Sequence, residues 1–331
     1  MRVVALVESL DHVCVRYRTQ AFVKPLATFG ISLEIQPIPR NFLDRCRLLW
    51  TLQDCNVVLL RKLLGIVEWK ILRARAKWIG FELDDAVFLR DSYSAKGFHD
   101  KKRSARFRRI ANESDAIIAG NNHLACASRE YGSRGIIEVI PTAVNMDLYG
   151  KDFGIKSNKN LSLVWIGSSS TLQGLERFRN TLERIGQIFP HIVLKLICDK
   201  FLKFNYLQTE EIPWSEENEC REISTADIGI SWIPDDPWSK GKCGLKVVQY
   251  MASGLPVIAN SIGVHPEMIR HGHNGFLADT IDDWIDSIQY LHSSLSIRET
   301  MGDCSRQIAK TSYSTVNALD KWVKLFKCMK T

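Results

Sequence analysis

A glycine-bearing turn that leads into an apolar helix is the part of the sequence best suited to chemistry. Residues 241–244 read Gly-Lys-Cys-Gly, and an apolar helical pattern follows until Gly254. A helix that opens on such a turn presents free backbone N–H groups and the positive end of its dipole, which suit a phosphate. Lys242 and Lys246 add two positive charges, and a helix that starts in this turn would place them on one face. We therefore predict a phosphate site at the start of this helix.

Short apolar runs alternate with helix-length segments along the chain. Strands are predicted in the first half at residues 2–7, 32–35, 56–60, 77–83, 115–119 and 135–140, and in the second half at 161–166, 192–197, 227–233 and 256–259. Strands rich in Val and Ile that alternate with helices favour parallel sheets covered on both faces. Ligands of such sheets bind beyond the carboxyl ends of the strands, where the motifs named here mostly fall.

The predicted organisation is α/β, with two Rossmann-like doubly wound domains and an interdomain cleft. The first domain covers residues 1–151, and the polar, unpatterned stretch at 152–160 is typical of a linker. The second domain covers residues 161–312. The final segment, 313–331, is predicted as an amphipathic helix that could pack back on the first domain or lie on a membrane.

An ordered series of motifs between about residues 75 and 290 resembles the family 4 (group 1) glycosyltransferases. The helix of the glycine turn continues into Gly-Leu-Pro-Val-Ile-Ala-Asn, then Gly-Val-His-Pro-Glu, and then His-Asn-Gly-Phe-Leu. This order is similar to the carboxyl-domain signature of the family. Upstream, Ser-Asp-Ala-Ile-Ile-Ala at 114–119 and Ile-Pro-Thr-Ala-Val-Asn at 140–145 are similar to two further family motifs.

The resemblance implies the GT-B fold and the transfer of a sugar from a nucleotide-sugar donor to an acceptor. It further implies retention of the anomeric configuration, no metal and no other cofactor. The carboxyl domain would bind the donor, and the amino domain would bind a lipid-linked or cell-surface glycan acceptor. Two rival functions stay open: a catalytically silent sugar-nucleotide-binding subunit, and a GT-B-type sugar-nucleotide epimerase that acts on the donor alone.

The sequence departs from the family at several donor-binding positions. The paired glutamates of the signature fall on Gly241 and Gln249, of which only Gln249 can still hydrogen-bond ribose hydroxyls. The family's diphosphate-binding Arg and Lys fall on Ser168 and Gln173. A leaving nucleoside diphosphate still needs positive charge, which the two lysines of the glycine turn are expected to supply. The residues expected to bind the donor are Gly167, Ser168, Ser169, Lys242, Lys246, Gln249 and Glu267.

Two consecutive acids follow the fourth predicted strand of the first half. The family commonly carries a His or Asp at this strand end, so the resemblance assigns Asp84 and Asp85 to the acceptor hydroxyl. A carboxylate there could orient that hydroxyl or take its proton, although each acid could instead be an N-cap or a solvated loop residue. Glu82 should alternate to the opposite face of the strand and is less favoured. Arg16 and Arg18 could meet a phosphate of the acceptor, or be surface residues only.

Positive charge is concentrated in the first half of the 331 residues. Residues 1–150 hold 23 Lys and Arg against 16 Asp and Glu, whereas residues 151–331 hold 21 of each. Six basic residues lie between Lys101 and Arg109, which favours either a solvated face or docking on an anionic membrane surface. We expect no nucleic-acid partner, because no recognition module accompanies this charge.

The sequence shows neither a recognisable signal peptide nor an apolar run long enough to span a membrane. Its nine cysteines include no Cys-x-x-Cys pair, so we expect reduced thiols and no metal site. The expected location is cytoplasmic, with the protein either free or peripheral on the inner face of the membrane.

Overall fold

A computed structural model describes residues 1–149 and 160–329 as two compact units. The first unit contains Met1–Ala143, Asp236–Cys243 and Thr315–Thr331, and the second contains Val144–Asp235 and Gly244–Ser314. The first unit therefore includes two segments from the second half of the sequence. The linker predicted at 152–160 lies outside the described residues, apart from Asn160.

Each unit is built on one parallel sheet of six strands. The strands are β1 (Arg2–Val7), β2 (Ser32–Pro37), β3 (Asn56–Leu60), β4 (Trp78–Leu83), β5 (Ala116–Ala119), β6 (Ile136–Val139), β7 (Ser162–Ile166), β8 (Val193–Cys198), β9 (Gln208–Pro213), β10 (Ile228–Ser231), β11 (Val257–Ala259) and β12 (Gly275–Leu277). The first sheet has the order β2-β1-β3-β4-β5-β6, and the second has the order β12-β11-β10-β7-β8-β9. The second order is that of a doubly wound dinucleotide-binding sheet, so the α/β fold class is confirmed.

Helices cover the faces of both sheets. They are α1 (Val13–Val15), α2 (Ala21–Ala27), α3 (Phe42–Trp50), α4 (Ile66–Arg75), α5 (Lys101–Glu113), α6 (Asn122–Glu130), α7 (Ser169–Arg177), α8 (Arg179–Ile188), α9 (Glu219–Ser224), α10 (Leu245–Ala252), α11 (His265–Met268), α12 (Ile281–His292), α13 (Leu295–Ser312) and α14 (Thr315–Cys328). A short π-helix spans Arg16–Gln20, and a 3₁₀ turn spans Ser239–Gly241. None of the helices in the described parts of the chain is long and apolar enough to cross a membrane.

Helix α14 completes the core of the first unit. Its Trp322 and Phe326 are 3% and 0% exposed, and their rings stack with centroids 5.3 Å apart. Trp322 also meets Phe22 of α2 at 6.2 Å between ring centroids. The apolar face predicted for this helix therefore packs on protein. Val316, in the first turn of this helix, is 67% exposed.

Two strands of the second sheet were not predicted from the sequence. Strand β9 reads Gln-Thr-Glu-Glu-Ile-Pro and lies at one edge of the sheet, where a polar strand can face water. Strand β12, at the other edge, has only three residues. Most of the remaining strands are buried apolar runs, which hydrophobic patterning identifies, whereas β2 and β6 at the two edges of the first sheet are largely half-buried or exposed.

Candidate functional site

The loop after β7 starts a helix at the carboxyl end of the second sheet. Ser168 is the N-cap of α7, and its N–H donates to Thr171 Oγ1 at 3.1 Å. Gly167 leaves no room for a side chain, because a Cβ there would lie 2.3 Å from the Trp165 ring. The structure thus brings Gly167, Ser168 and Ser169 together at a helix start, where backbone N–H groups and the helix dipole favour an anion.

A carboxylate already contacts this helix start. The Ser169 N–H donates to Asp199 Oδ1 at 2.6 Å, and Asp199 follows β8, the strand beside β7. The hydrogen bonds from Ser169 hold the pKa of Asp199 below its ordinary value, so this side chain is ionised at neutral pH. Asp199 was not predicted from the sequence, although its position directly after a buried strand was a signal. The loop therefore carries a negative charge beside the predicted diphosphate position.

Lys246 is the predicted basic residue that the structure places beside this loop. Its Nζ lies 4.0 Å from the centroid of the Trp165 ring, and the same ring packs over Gly167. Helix α10 is capped by Gly244 at φ +65°, a left-handed conformation that favours glycine. Gly244 therefore sets the direction of the first helical turn, from which Lys246 extends.

Lys242 belongs to the first unit, and the prediction that it shares a helix face with Lys246 is wrong. Because Gly244 caps α10, Lys242 lies before the helix, with extended angles of φ −69° and ψ 143°. Its segment, Asp236–Cys243, is part of the first unit. There Lys242 Nζ lies 3.9 Å from the centroid of the Trp238 ring. The four-residue spacing of the two lysines would give a shared face only if the helix began at Gly241 instead of Gly244.

Gln249 and Glu267, both predicted to bind the donor, lie in the second unit. Gln249 is in its core and Glu267 is on its surface. Gln249 is only 3% exposed, and its Nε2 donates to the Tyr149 hydroxyl at 3.1 Å. Glu267 is exposed on α11. Burial raises the pKa of the Tyr313 hydroxyl to about 12, and the nearby charge of Glu267 contributes to that shift. Gln249 is thus a core residue in this structure, whereas Glu267 remains accessible.

His265 connects the ends of two strands in the second unit. Its Nε2 lies 3.0 Å from Ser231 Oγ at the end of β10, and its Nδ1 lies 2.9 Å from the Asn260 carbonyl oxygen after β11. Burial lowers the pKa of His265 to about 4, and the positive charge of Lys246 also lowers it. His265 is therefore neutral at physiological pH and close enough to Lys246 to feel its charge.

Asp84 and Asp85 meet an arginine at the carboxyl ends of β3 and β4. Arg61 Nη1 lies 3.2 Å from Asp84 Oδ1, and Arg61 Nη2 donates to Asp85 Oδ2 at 2.9 Å. The two side chains are 14% and 20% exposed, so they are paired acids rather than solvated loop residues. Burial raises the pKa of Asp85, while the charges of Lys242 and Arg61 oppose that shift. Arg61 was not predicted as a site residue, although it directly follows a predicted strand.

Arg18 lies in the core of the first unit, which corrects the expectation that it meets an acceptor phosphate. It is 2% exposed, its Nε donates to Glu82 Oε1 at 2.5 Å, and its Nη1 donates to the Ile140 carbonyl oxygen at 2.6 Å. Burial raises the pKa of Glu82 to about 7, against the opposing charge of Arg18. Arg16 lies on the π-helix, with its Cζ 4.9 Å from the centroid of the Tyr17 ring.

Comparison with known families identifies the carboxyl-terminal signature. Residues 221–294 match the family model described as glycosyl transferases group 1. This match shows that the segment 221–294 is similar to the group 1 glycosyltransferases. It covers the segment from α9 through α12, which includes the Lys246 helix and the His265 turn. The family resemblance predicted from the sequence is confirmed.

Two curated relatives extend the comparison. A GDP-Man:Man(3)GlcNAc(2)-PP-Dol alpha-1,2-mannosyltransferase from Dictyostelium discoideum is 30% identical over 108 residues, which cover 32% of this chain and 20% of that protein. An uncharacterised 41.2 kDa protein in a cps region of Klebsiella pneumoniae is 23% identical over 231 residues, or 66% of this chain and 63% of that protein. The chain thus spans less than two thirds of the length of these relatives.

Solved structures share the fold of this chain at low sequence identity. Sucrose-phosphate synthase from Thermosynechococcus elongatus matches with a TM-score of 0.76 and 14% identity, over 99% of this chain and 98% of that chain. HepE from Anabaena, in complex with UDP and glucose, matches with a TM-score of 0.70 and 16% identity, over 99% and 100% of the two chains. These neighbours confirm the GT-B fold class.

Proposed function

We propose that the protein is a glycosyltransferase that moves a sugar from a nucleotide-sugar donor to an acceptor hydroxyl. The observation that carries this proposal is the helix start at Ser168 and Ser169, with Lys246 packed over Trp165 beside it. These residues belong to the unit whose residues 221–294 match the group 1 family. A helix start and a neighbouring ammonium group both attract a diphosphate.

The diphosphate gains negative charge as its bond to the sugar breaks. Preorganised hydrogen-bond donors at such a position stabilise the transition state, and the loss of one donor costs about 3 kcal/mol in well-studied enzymes. We assign this role to Lys246 and to the loop hydroxyls of Ser168 and Ser170, whose Oγ atoms lie 2.7 Å apart. Glu267 is exposed in the same unit and is proposed to contact the donor sugar.

The acceptor hydroxyl is proposed to bind at the carboxyl ends of β3 and β4. Asp85 lies there beside Arg61, and the charges of Arg61 and Lys242 favour its ionised form against the effect of burial. An ionised carboxylate can orient the hydroxyl and take its proton as the acceptor oxygen bonds to the anomeric carbon. As that bond forms, the bond from the anomeric carbon to the nucleoside diphosphate breaks and the diphosphate leaves with its electron pair. Retention requires the acceptor oxygen to approach from the face that the diphosphate leaves.

We further propose an acceptor that is a lipid-linked or cell-surface glycan, on the cytoplasmic face of an anionic membrane. Helix α5 carries the basic run, and its Arg106 donates to the Leu63 carbonyl oxygen at 3.1 Å, just before α4. At the start of α4, Ile66 and Val67 are 51% and 50% exposed. Apolar side chains beside a basic helix suit an anionic lipid surface. Sedimentation with vesicles of phosphatidylglycerol, but not of phosphatidylcholine, is the expected result, and no binding to either would exclude this location.

The retaining outcome and the independence from metal are proposed on the family resemblance alone. Nuclear magnetic resonance of the product would give the anomeric configuration, and turnover in the presence of a chelator would test the metal. An inverted product, or turnover lost to the chelator and restored by a divalent cation, would reject the corresponding part of the proposal.

Asp199 favours a second candidate, a sugar-nucleotide-binding subunit without catalytic activity. Its carboxylate accepts a hydrogen bond from the Ser169 N–H. Ser168 and Gln173 lie at the positions where the family carries two basic residues. A loop with less positive charge would stabilise the leaving diphosphate less, so binding could persist without turnover.

Donor turnover separates these functions. Thermal unfolding with UDP, GDP and ADP would first identify the base, because a ligand at 100 times its Kd adds about 2.7 kcal/mol to the stability of the native state. The matching nucleotide-sugars would then be incubated with lipid-linked saccharides, and both free nucleoside diphosphate and glycosylated acceptor would be measured. Transfer supports the proposal, isomerisation of the donor indicates an epimerase, and binding without either indicates the silent subunit.

A further inference from the structure

One arginine lies between two consecutive carboxylates in the first unit. Arg61 contacts Asp84 through Nη1 at 3.2 Å and Asp85 through Nη2 at 2.9 Å. Adjacent carboxylates in a half-buried place repel each other, since the local dielectric is lower than that of water. A guanidinium presents several donors in a rigid plane, so it holds two carboxylates in more fixed positions than the flexible ammonium of a lysine does.

The backbone of Arg61 is held in an unusual conformation. Its φ is +59°, in the left-handed region that is uncommon for residues other than glycine. Its N–H donates to the Glu82 carbonyl oxygen at 2.8 Å, which ties the turn after β3 to strand β4. The guanidinium also lies 3.4 Å from Cys14 Sγ. Burial raises the pKa of that thiol to about 12, so Cys14 stays neutral and does not compete with the carboxylates for the charge.

The two carboxylates have different surroundings. The charge of Asp84 acts on four buried groups, namely Cys14, Arg18, Glu82 and Cys243. The charged and titratable groups around Asp85 are Asp84, Arg61, Lys242, His12 and Cys243. Of the latter groups, His12 follows β1, and the Lys242 carbonyl oxygen accepts a hydrogen bond from Asn121, which follows β5, so both lie at the carboxyl end of the sheet. Asp85 is therefore the carboxylate nearer to the place where a ligand of this sheet would bind.

We propose that Arg61 is a positioning residue, which holds Asp85 for the acceptor hydroxyl while Asp84 anchors the guanidinium from the interior. The identity of the reacting hydroxyl rests on the proposed glycosyltransferase function, whereas the arrangement of the three side chains does not. Removal of Arg61 leaves two neighbouring carboxylates without their shared cation. Asp85 then takes up a proton at higher pH than in the wild type, since an opposite charge at this distance favours the ionised form.

The pH dependence of turnover tests this role. In Arg61→Gln, the acid limb of the kcat/KM profile for the acceptor moves up by about one pH unit or more, and the plateau falls about 100-fold through misplacement of Asp85. Arg61→Lys keeps the charge, so its acid limb stays closer to that of the wild type although its plateau falls. Asp84→Asn removes a negative neighbour and moves the acid limb to lower pH. The control Arg73→Gln removes an arginine paired with Asp115 at 2.6 Å elsewhere in the same unit and leaves the acid limb in place.

A titration of the Asp85 carboxyl carbon by nuclear magnetic resonance gives a readout that needs no turnover. The Asp85 pKa rises in Arg61→Gln and falls in Asp84→Asn if the proposal holds. If these shifts occur but no acceptor is glycosylated, the proposed function has failed and the positioning role stands. Unchanged Asp85 titration in both folded variants overturns the role of Arg61. If Asp85→Asn keeps wild-type turnover while Asp84→Asn loses it, the carboxylate that meets the acceptor hydroxyl is Asp84 and not Asp85. That result overturns the proposal.

Discussion

Lys246 Nζ lies 4.0 Å from the centre of the Trp165 ring, and this ring packs over Gly167 in the loop that starts α7. An aromatic face attracts a cation without cancelling its charge, and such contacts are worth about 0.5–2 kcal/mol. The indole therefore holds the lysine beside the loop while leaving the local potential positive. In the proposed function, Lys246 supplies part of the positive charge that the loop itself does not carry.

Replacement of Lys246 by alanine is expected to weaken binding of the nucleoside diphosphate by at least about tenfold. A hydrogen bond to a charged group is worth about 1.5–3 kcal/mol, and 1.4 kcal/mol corresponds to a factor of ten in affinity. Isothermal titration calorimetry of folded Lys246→Ala would measure the change. Lys310→Ala, an exposed lysine on α13 of the same unit, is the matched control and should bind like the wild type. Equal affinities in the two variants would remove Lys246 from the donor site.

Replacement of Asp199 by asparagine is expected to strengthen diphosphate binding several-fold. The amide oxygen can still accept the Ser169 N–H, which Asp199 accepts at 2.6 Å, but the negative charge is gone. Charges near a protein surface interact by about 1–4 kcal/mol at contact distance, and the effect shrinks with salt. Titrations at low and high salt should show the larger gain at low salt. Asp303→Asn on α13 is the control, because this acid is exposed. Weaker binding in Asp199→Asn would mean that the carboxylate itself supports the donor.

The sequence predicted the buried strands and the family signature, because both are patterns of residues that are close together in the chain. Prediction from the sequence failed for contacts between residues that are distant in the chain. The pairing of Arg61 with two acids after the next strand, and of Asp199 with Ser169, follows from the order of strands in each sheet. Lys242 was misplaced for a local reason, since two glycines could each have capped the helix and only the three-dimensional structure selects Gly244.

Mild acid is expected to destabilise the second unit through His265. Its pKa is lowered to about 4 from an ordinary value near 6.5, because burial disfavours the charged ring. The contribution of neutral His265 to the stability of the folded state is therefore fully present above pH 6.5. It is lost as the pH falls from 6.5 towards 4. The loss at full protonation is about 3 kcal/mol.

The denaturation midpoint of the wild type should therefore fall more steeply between pH 7 and 5 than that of His265→Gln. His191→Gln, an exposed histidine of the same unit, should keep the wild-type slope. Identical slopes for the wild type and His265→Gln would show that the ring does not remain neutral in the folded state.

Replacement of Arg18 by methionine is expected to cost about 3–5 kcal/mol of stability, because it leaves the Glu82 carboxyl buried without its partner. The pKa of Glu82 is already raised to about 7 with Arg18 present, so it rises further in the variant. A raised carboxyl pKa means that the folded variant holds a proton that the unfolded chain releases, and its stability therefore falls as the pH rises. Arg18→Met should be weaker at pH 8 than at pH 6 in urea denaturation, and the double variant with Glu82→Gln should regain part of the loss. If Arg18→Met instead keeps wild-type stability and loses only affinity for a phosphorylated acceptor, Arg18 is a ligand-binding residue after all.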